Sequence, residues 1–250
     1  MPEKNKKYWE FVNKSADEAD LYLYIEIASW GGGGYAHSAQ SFKRELDALG
    51  DIKTLNIYIN SPGGDVFEGN AIYNMLVRKA KSCQLNVYID GLAASIASVI
   101  AMAGKVHMPS NAMMMVHNAW CITYGNAKDL RDTANALDKI DVSLRQSYLS
   151  KAGDKLDDET LVDLMDKETW LTAQECLDYG LCDEVIGEKQ VAAKFDTGLF
   201  RNYKNVPEQY QWKDEKPEEP SDPKPDSPKA KHGPSKEELK ARFLEELELI

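Results

Sequence analysis

Hydrophobic and polar positions follow two different periods along residues 1–205 of the chain. Short runs of continuous or alternating apolar residues predict strands, whereas apolar residues three or four positions apart predict helices. A capping pair, Thr172 with Glu175, opens a further helix that Gly180 closes. This alternation of strands and helices predicts a layered α/β fold with parallel strand pairing. The predicted strands cover residues 21–27, 54–59, 85–89 and 113–116, and the predicted helices cover residues 41–49, 66–79, 95–103 and 130–148.

The composition changes after residue 205, and this change sets the predicted domain boundaries. Seven of the ten prolines fall between residues 207 and 234, among charged residues. Such a segment buries too little apolar surface to offset chain entropy, so residues 206–234 are predicted to be a disordered linker after a folded domain over residues 1–205. Residues 235–250 begin with a capping box and carry apolar residues on one face, which predicts a short amphipathic helix. That helix either docks onto a partner or is a tail without one.

The charge balance and the apolar runs exclude several classes of protein. The 30 basic and 41 acidic residues give a net charge of −11, which repels phosphate backbones and argues against nucleic-acid binding. No apolar run is long enough to span a bilayer, and the charged first fifteen residues lack a signal-peptide core. We therefore expect a cytoplasmic protein with no membrane partner. The four cysteines form no C-x-x-C pair, so we expect reduced thiols and no metal site.

Two glycine-containing turns follow predicted strands, at the end of the sheet where α/β folds place their sites. The turn over residues 90–95 brings Ser95 to the start of a helix, where free N–H groups favour a developing negative charge. Ser95 is either a nucleophile or only a helix cap. The turn over residues 61–65 has consecutive glycines, Gly63 and Gly64, whose N–H groups can face a ligand. It is either an oxyanion hole or a simple turn.

A nucleophilic serine needs a base, and His117 is the strongest candidate among the four histidines. It directly follows the apolar run over residues 112–116, so a buried strand would hold its ring rigidly. The alternative is a histidine satisfied within the core. Asp166 and Glu168 are the carboxylates nearest a predicted buried segment, and either could orient the histidine. Their alternative is a solvated helix end.

The order and spacing of these motifs resemble those of the ClpP family of self-compartmentalised serine proteases, part of the ClpP/crotonase superfamily. The resemblance covers about residues 21–186 and implies a layered fold of repeated β-β-α units. It also implies a protruding handle helix over about residues 127–150. The motifs that carry it are IYINSPGG at residues 57–64, GLAAS at 91–95, MMMVH at 113–117, and WLTAQE with YGLCD at 170–183.

The resemblance implies a role for each candidate residue in cleaving peptide bonds. Ser95 would attack the scissile carbonyl and His117 would move the proton. The N–H groups of Gly64 and Ile96 would bind the oxyanion. The family's acid lies three residues before the leucine that matches Leu171, a position that Glu168 fills in this chain, with Asp166 as the alternative. No metal or organic cofactor is implied.

The resemblance also implies which partners and substrates the chain has. The family's proteases cleave polypeptides inside a homo-oligomeric chamber, commonly two stacked heptameric rings. Residues 6–19 and the glycine loop at 31–34 do not match the region that docks an unfoldase ATPase, which gives little reason to expect ATPase dependence. Several motifs look more like the ClpP-related proteases of tailed phages, which implies a capsid or scaffold protein as substrate. Two other classes stay open: an inactive scaffold subunit and a crotonase-like acyl-CoA enzyme.

Overall fold

The computed structural model describes residues 8–28, 38–187 and 203–207, and these form one mixed sheet with helices packed on it. The predicted linker at 206–234 and helix at 235–250 lie outside the described residues, apart from residues 206 and 207. The strands are β1 (Trp9–Asn13), β2 (Glu18–Tyr24), β3 (Thr54–Ser61), β4 (Gln84–Ala94), β5 (Lys105–Pro109), β6 (Met113–Val116), β7 (Thr169–Thr172) and β8 (Glu184–Ile186), and the helices are α1 (Ala39–Ala48), α2 (Val66–Lys79), α3 (Ile96–Ala101), α4 (Ala127–Ala152), α5 (Asp158–Asp166) and α6 (Ala173–Asp178).

The sheet is mostly parallel and divides into two branches at β4. Its main path runs β1-β2-β3-β4-β5-β8, with β1 antiparallel to β2 and every other pair on this path parallel. The first part of β4 pairs with β5, whereas residues Leu92, Ala93 and Ala94 at its end pair in parallel with β6. β6 in turn pairs antiparallel with β7. The predicted α/β fold with parallel pairing is confirmed.

The core lies between the central strands and the helices that cover them. β3 and β4 are buried along most of their length, as expected for parallel strands covered on their faces. Ile57 and Ile89 have no exposed surface, and Phe42 of α1 and Leu76 of α2 pack into the same buried cluster. Burial of this apolar surface is the main stabilising contribution to the domain.

Helix α4 is buried only in its second half. Every residue over 127–140 is exposed or half-buried, and the buried residues begin at Asp141. A helix that leaves the core in this way has the protruding form that was predicted for the handle. Asn126 caps its N-terminus by accepting from the N–H groups of Lys128 and Asp129.

In the part of the chain that the structure describes, no helix is both long enough and apolar enough to cross a bilayer.

Truncating a central core residue should cost far more stability than truncating one at the surface. Ile57→Ala removes a fully buried side chain from β3, and we expect the free energy of unfolding to fall by about 2–5 kcal/mol. Val77→Ala, at a partly exposed position of α2, should change it by less than about 0.5 kcal/mol. Urea denaturation followed by circular dichroism measures both values, and equal effects would contradict the assigned core.

Candidate active site

Ser95 lies at the exit of β4, in a backbone conformation that few residues other than glycine adopt. It is the N-cap of α3 with φ of 55°, and its N–H donates to the carbonyl of Met115 at 2.9 Å. Strain of this kind persists where surrounding structure enforces it, most often at functional sites. The side chain makes no capping hydrogen bond to its own helix. The Ser95 hydroxyl therefore does not cap the helix.

His117 lies at the exit of β6, the strand beside the end of β4. Because Ala94 pairs with Met115 in parallel register, the residues that follow each strand leave the same edge of the sheet. The distance between His117 Nε2 and Ser95 Oγ is 2.7 Å. This hydrogen bond is short enough for direct transfer of the serine proton to the imidazole. The structure thus brings the predicted nucleophile and the predicted base together.

Burial sets the protonation state of this histidine. Desolvation lowers the pKa of His117 from its ordinary 6.5 to about 4. The imidazole is consequently neutral at pH 7. A neutral ring can accept the serine proton at Nε2, which is what a general base must do.

The glycine turn after β3 packs directly against Ser95. A Cβ atom on Gly63 would lie 2.5 Å from the Ser95 Cβ, and one on Gly64 would lie 1.9 Å from the carbonyl oxygen of Ile27. Both glycines have positive φ, at 98° and 144°. The turn's own hydrogen bonds use the N–H groups of Gly63 and Asp65, which flank Gly64. The turn can therefore hold this shape only with glycine at both positions.

A cleft of about 200 Å³ opens beside the Ser95–His117 pair. Within the described ranges, no group of three or more histidine, cysteine, aspartate or glutamate side chains is arranged to hold a metal ion. The cleft is lined by Glu26, Pro62, Gly63, Gly64, Val66, Ser95, His117, Ala119, Trp120 and Tyr203. It places the glycine turn, the hydroxyl and the imidazole around one space that can receive a ligand.

The structure does not bring the predicted acid to the histidine. Glu168 Oε1 accepts instead from the backbone N–H groups of Lys204 and Asn205, and Asp166 Oδ1 accepts from Asn118 Nδ2 at 2.6 Å. Among the described residues, neither carboxylate forms a hydrogen bond with His117. The assignment of Glu168 as the orienting acid therefore stays a prediction.

Sequence reasoning missed Tyr203, which contacts both members of the pair. Its ring meets the His117 ring edge to face, with centroids 5.3 Å apart and planes at 76°. Its hydroxyl donates to the carbonyl of Pro62 at 2.7 Å and lies within hydrogen-bond reach of the Ser95 side chain, whose own proton is directed to His117. No local pattern marks this residue, because it lies two positions before the predicted end of the domain and its partners are distant in sequence.

Asp141 is a second residue that sequence reasoning missed. It is the first buried residue of α4, and its Oδ1 accepts from the N–H of Ala119 at 2.7 Å. Burial raises the pKa of this carboxyl. Through this bond the handle helix fixes the backbone just after His117.

Comparisons with known proteins give the family that this chain resembles. The family model described as Clp protease matches residues 35–189. Two relatives from Bacteroides fragilis strains, each called ATP-dependent Clp protease proteolytic subunit, are 33% identical over 157 residues, which is 62% of this chain and 74% or 70% of the relative. A relative of the same name from Bacteroides thetaiotaomicron is 32% identical over 157 residues, covering 62% of this chain and 70% of its own length.

The protonation of His117 can be measured without any substrate. We expect its imidazole to titrate at a pKa of about 4 rather than at its ordinary 6.5. Since the folded state then binds fewer protons than the unfolded chain between these two values, stability should fall as pH decreases through this window. Proton NMR of the ring resonances measures the pKa, with the signal assigned by its loss in His117→Gln. A midpoint near 6.5 would contradict the burial of the ring.

Proposed function

The chain belongs to the Clp protease family, and on that premise we propose that it is a serine endopeptidase with Ser95 as nucleophile and His117 as general base. The observation that carries the proposal is the 2.7 Å hydrogen bond between Ser95 Oγ and His117 Nε2 at the edge of the cleft. A serine hydroxyl is a weak nucleophile until such a base takes its proton.

The proposed reaction has two halves. In the first, Ser95 Oγ forms a bond to the scissile carbonyl carbon while its proton passes to His117 Nε2. The tetrahedral intermediate collapses, the C–N bond breaks, and the imidazolium returns the proton to the leaving amine. In the second half, water attacks the acyl carbon while His117 Nε2 accepts its proton, the C–Oγ bond breaks, and the imidazolium returns the proton to Ser95 Oγ as the product acid leaves.

We assign the oxyanion to the N–H groups of Gly64 and Ile96. The glycine turn packs against Ser95, and Ile96 is the first residue of α3, whose leading N–H groups have no acceptor within the helix. Donors fixed by the backbone need no reorganisation when negative charge develops, and one such donor contributes about 10²–10³ in rate. The tight packing at Gly64 supports this assignment, because it keeps the donor in place.

Two alternatives differ from this proposal in what they require. A crotonase-like acyl-CoA enzyme would use the Gly64 turn for a thioester enolate and would need no hydrogen-bonded serine–histidine pair. The observed pair therefore favours the peptidase. An inactive scaffold subunit would keep the fold without an activated nucleophile, and chemical labelling of Ser95 distinguishes it.

We also propose that the chain acts as a ring-shaped homo-oligomer on polypeptide substrates. The exposed first half of α4, with Leu130 44% exposed, offers a surface that packing between rings would cover. Sedimentation velocity gives the size of the particle, and a monomer at micromolar concentration would contradict the ring.

For the natural substrate we propose a phage capsid or scaffold protein. This proposal rests on the sequence features that resemble phage-encoded relatives, namely the glycine loop at residues 31–34 and the ETWLTA motif at residues 168–173. It is tested by co-expressing the chain with candidate capsid and scaffold proteins and looking for cleavage that Ser95→Ala abolishes. Deletion of residues 206–250 with no loss of partner binding or processing would count against a role of the tail.

A fluorophosphonate probe tests the peptidase directly. We expect the assembled protein to be labelled at Ser95, and labelling to fall by at least about 10³-fold in Ser95→Ala and His117→Ala, because both members of the pair are needed. Mass spectrometry locates the adduct. Ser82→Ala, at an exposed position, is the matched control and should label like the wild type. An oligomeric preparation that is not labelled would remove the support for a peptidase and favour the inactive scaffold.

A further inference from the structure

Tyr203 belongs to a short segment, residues 203–207, that packs against the active site. This segment is far in sequence from Ser95 and His117. The ring packs edge to face on His117 and also on Trp170, with centroids 5.3 Å and 6.3 Å apart. Tyr203 and Val206 both pack on the small buried cluster of Leu92, Ala94 and Met115. Because these are residues of β4 and β6, the segment contacts the two strands that carry Ser95 and His117.

Glu168 anchors this segment through its backbone. Its Oε1 accepts from the consecutive N–H groups of Lys204 and Asn205, and Asn205 Nδ2 donates to the carbonyl of Lys167 at 2.6 Å. Glu168 itself has φ of 50°, an unusual conformation for a residue with a side chain. A carboxylate that accepts hydrogen bonds from two consecutive N–H groups restrains the backbone of Lys204 and Asn205. It therefore determines where the side chain of the preceding residue, Tyr203, can lie.

The cleft remains open beside Tyr203. Tyr203, Ser95 and Gly64 all line the same space of about 200 Å³, so the tyrosine forms a wall of the cleft and leaves room for a ligand next to the hydroxyl of Ser95. The Tyr203 hydroxyl is fixed by its bond to the carbonyl of Pro62. Trp120 and Val66 also line the cleft.

We propose that Tyr203 is a positioning residue of the peptidase site: its ring covers the His117 imidazole and forms one wall of the cleft that receives the substrate. This inference rests on the proposed peptidase function and adds to it a residue from outside the matched family region, which ends at residue 189. It also gives Glu168 a role, since that carboxylate holds the segment in place.

The covering ring has a consequence for the protonation of His117. His117 Nε2 bonds to the Ser95 hydroxyl, and the Tyr203 ring meets the imidazole edge to face; Glu26 lines the same cleft, while Asp166 and Asp141 bind the two residues that follow His117. Among the described residues none of these carboxylates pairs with the imidazole, and desolvation is the cause of its low pKa. Removing the ring that covers it would admit water and restore a higher pKa.

The decisive comparison is Tyr203→Ala with Tyr203→Phe, measured as the pH profile of Ser95 labelling by a fluorophosphonate. Without the ring, His117 should titrate near 6.5, so Tyr203→Ala should keep only about a tenth of its own plateau rate at pH 5.5. The wild type, with a pKa of about 4, should keep nearly all of its plateau there. Tyr203→Phe retains the ring, so its labelling rate should fall at the same low pH as that of the wild type. This fall in rate at low pH is called the acid limb of the profile. Tyr124→Ala removes a 96% exposed tyrosine and serves as the control.

Glu168 is tested in the same assay by a conservative pair of variants. Glu168→Gln keeps a side-chain oxygen that can accept both backbone N–H groups, whereas Glu168→Ala has none. If Glu168 acts through Tyr203, Glu168→Ala should reproduce the shifted acid limb of Tyr203→Ala and Glu168→Gln should not. If the negative charge of Glu168 orients His117 directly, both variants should lose plateau rate together, and this result would overturn its role as an anchor.

The outcomes separate this inference from the peptidase proposal. A wild-type Ser95 that is not labelled overturns the peptidase, and the inference with it. Labelled wild type with an unshifted acid limb in Tyr203→Ala overturns the inference alone. Faster labelling of Tyr203→Ala at every pH, without a shift, also overturns it, because the segment would then be a plug. NMR titration of His117 in the folded variants checks the shift independently of labelling.

Discussion

The parallel pairing of the end of β4 with β6 is the interaction on which the site depends. Leu92, Ala93 and Ala94 pair with Met113, Met114 and Met115, so Ser95 and His117 leave neighbouring strands at one edge of the sheet although 22 residues separate them. The Ser95 N–H then donates to the carbonyl of Met115, which ties the strained residue to the partner strand. A shift of this register by one residue would turn each side chain to the other face and separate the pair.

The glycine turn after β3 adds a steric constraint to this pairing. β3 is in register with β4 up to Ile59, and the register then shifts so that Ser61 pairs with Ala93. This shift lets the turn approach Ser95 so closely that a Cβ on Gly63 would collide with it. The same turn bonds to Ile27 through the N–H of Asp65, which fixes it from the other side. The turn that carries the proposed oxyanion donor, the Gly64 N–H, is thus fixed in position between Ser95 and Ile27.

Much of the fold and half of the site could be predicted from the sequence, for reasons that differ between elements. β3, β4 and α2 have strong periodicity: α2 has the predicted bounds, β3 is two residues longer, and β4 runs on to Ala94 where the prediction ended at residue 89. The three-residue strand β8 and the four-residue strand β7 have too few positions to show a period, and their pairing depends on partners elsewhere. His117 was predictable as a base because it directly follows an apolar strand, and Ser95 because it ends a glycine turn in a motif, GLAAS, that resembles the ClpP family's. Tyr203 was not, because only the folded structure brings it to them.

The burial of His117 makes its imidazole a weak base, because desolvation lowers its pKa to about 4. The environment that disfavours an isolated imidazolium has a different effect on a pair of opposite charges. In the proposed reaction the imidazolium forms together with the oxyanion, which the N–H groups of Gly64 and Ile96 bind. Their mutual attraction grows as the surroundings become less polar. The desolvated site therefore keeps the histidine in the state needed to accept a proton, and it stabilises the charged histidine mainly when substrate supplies the opposite charge.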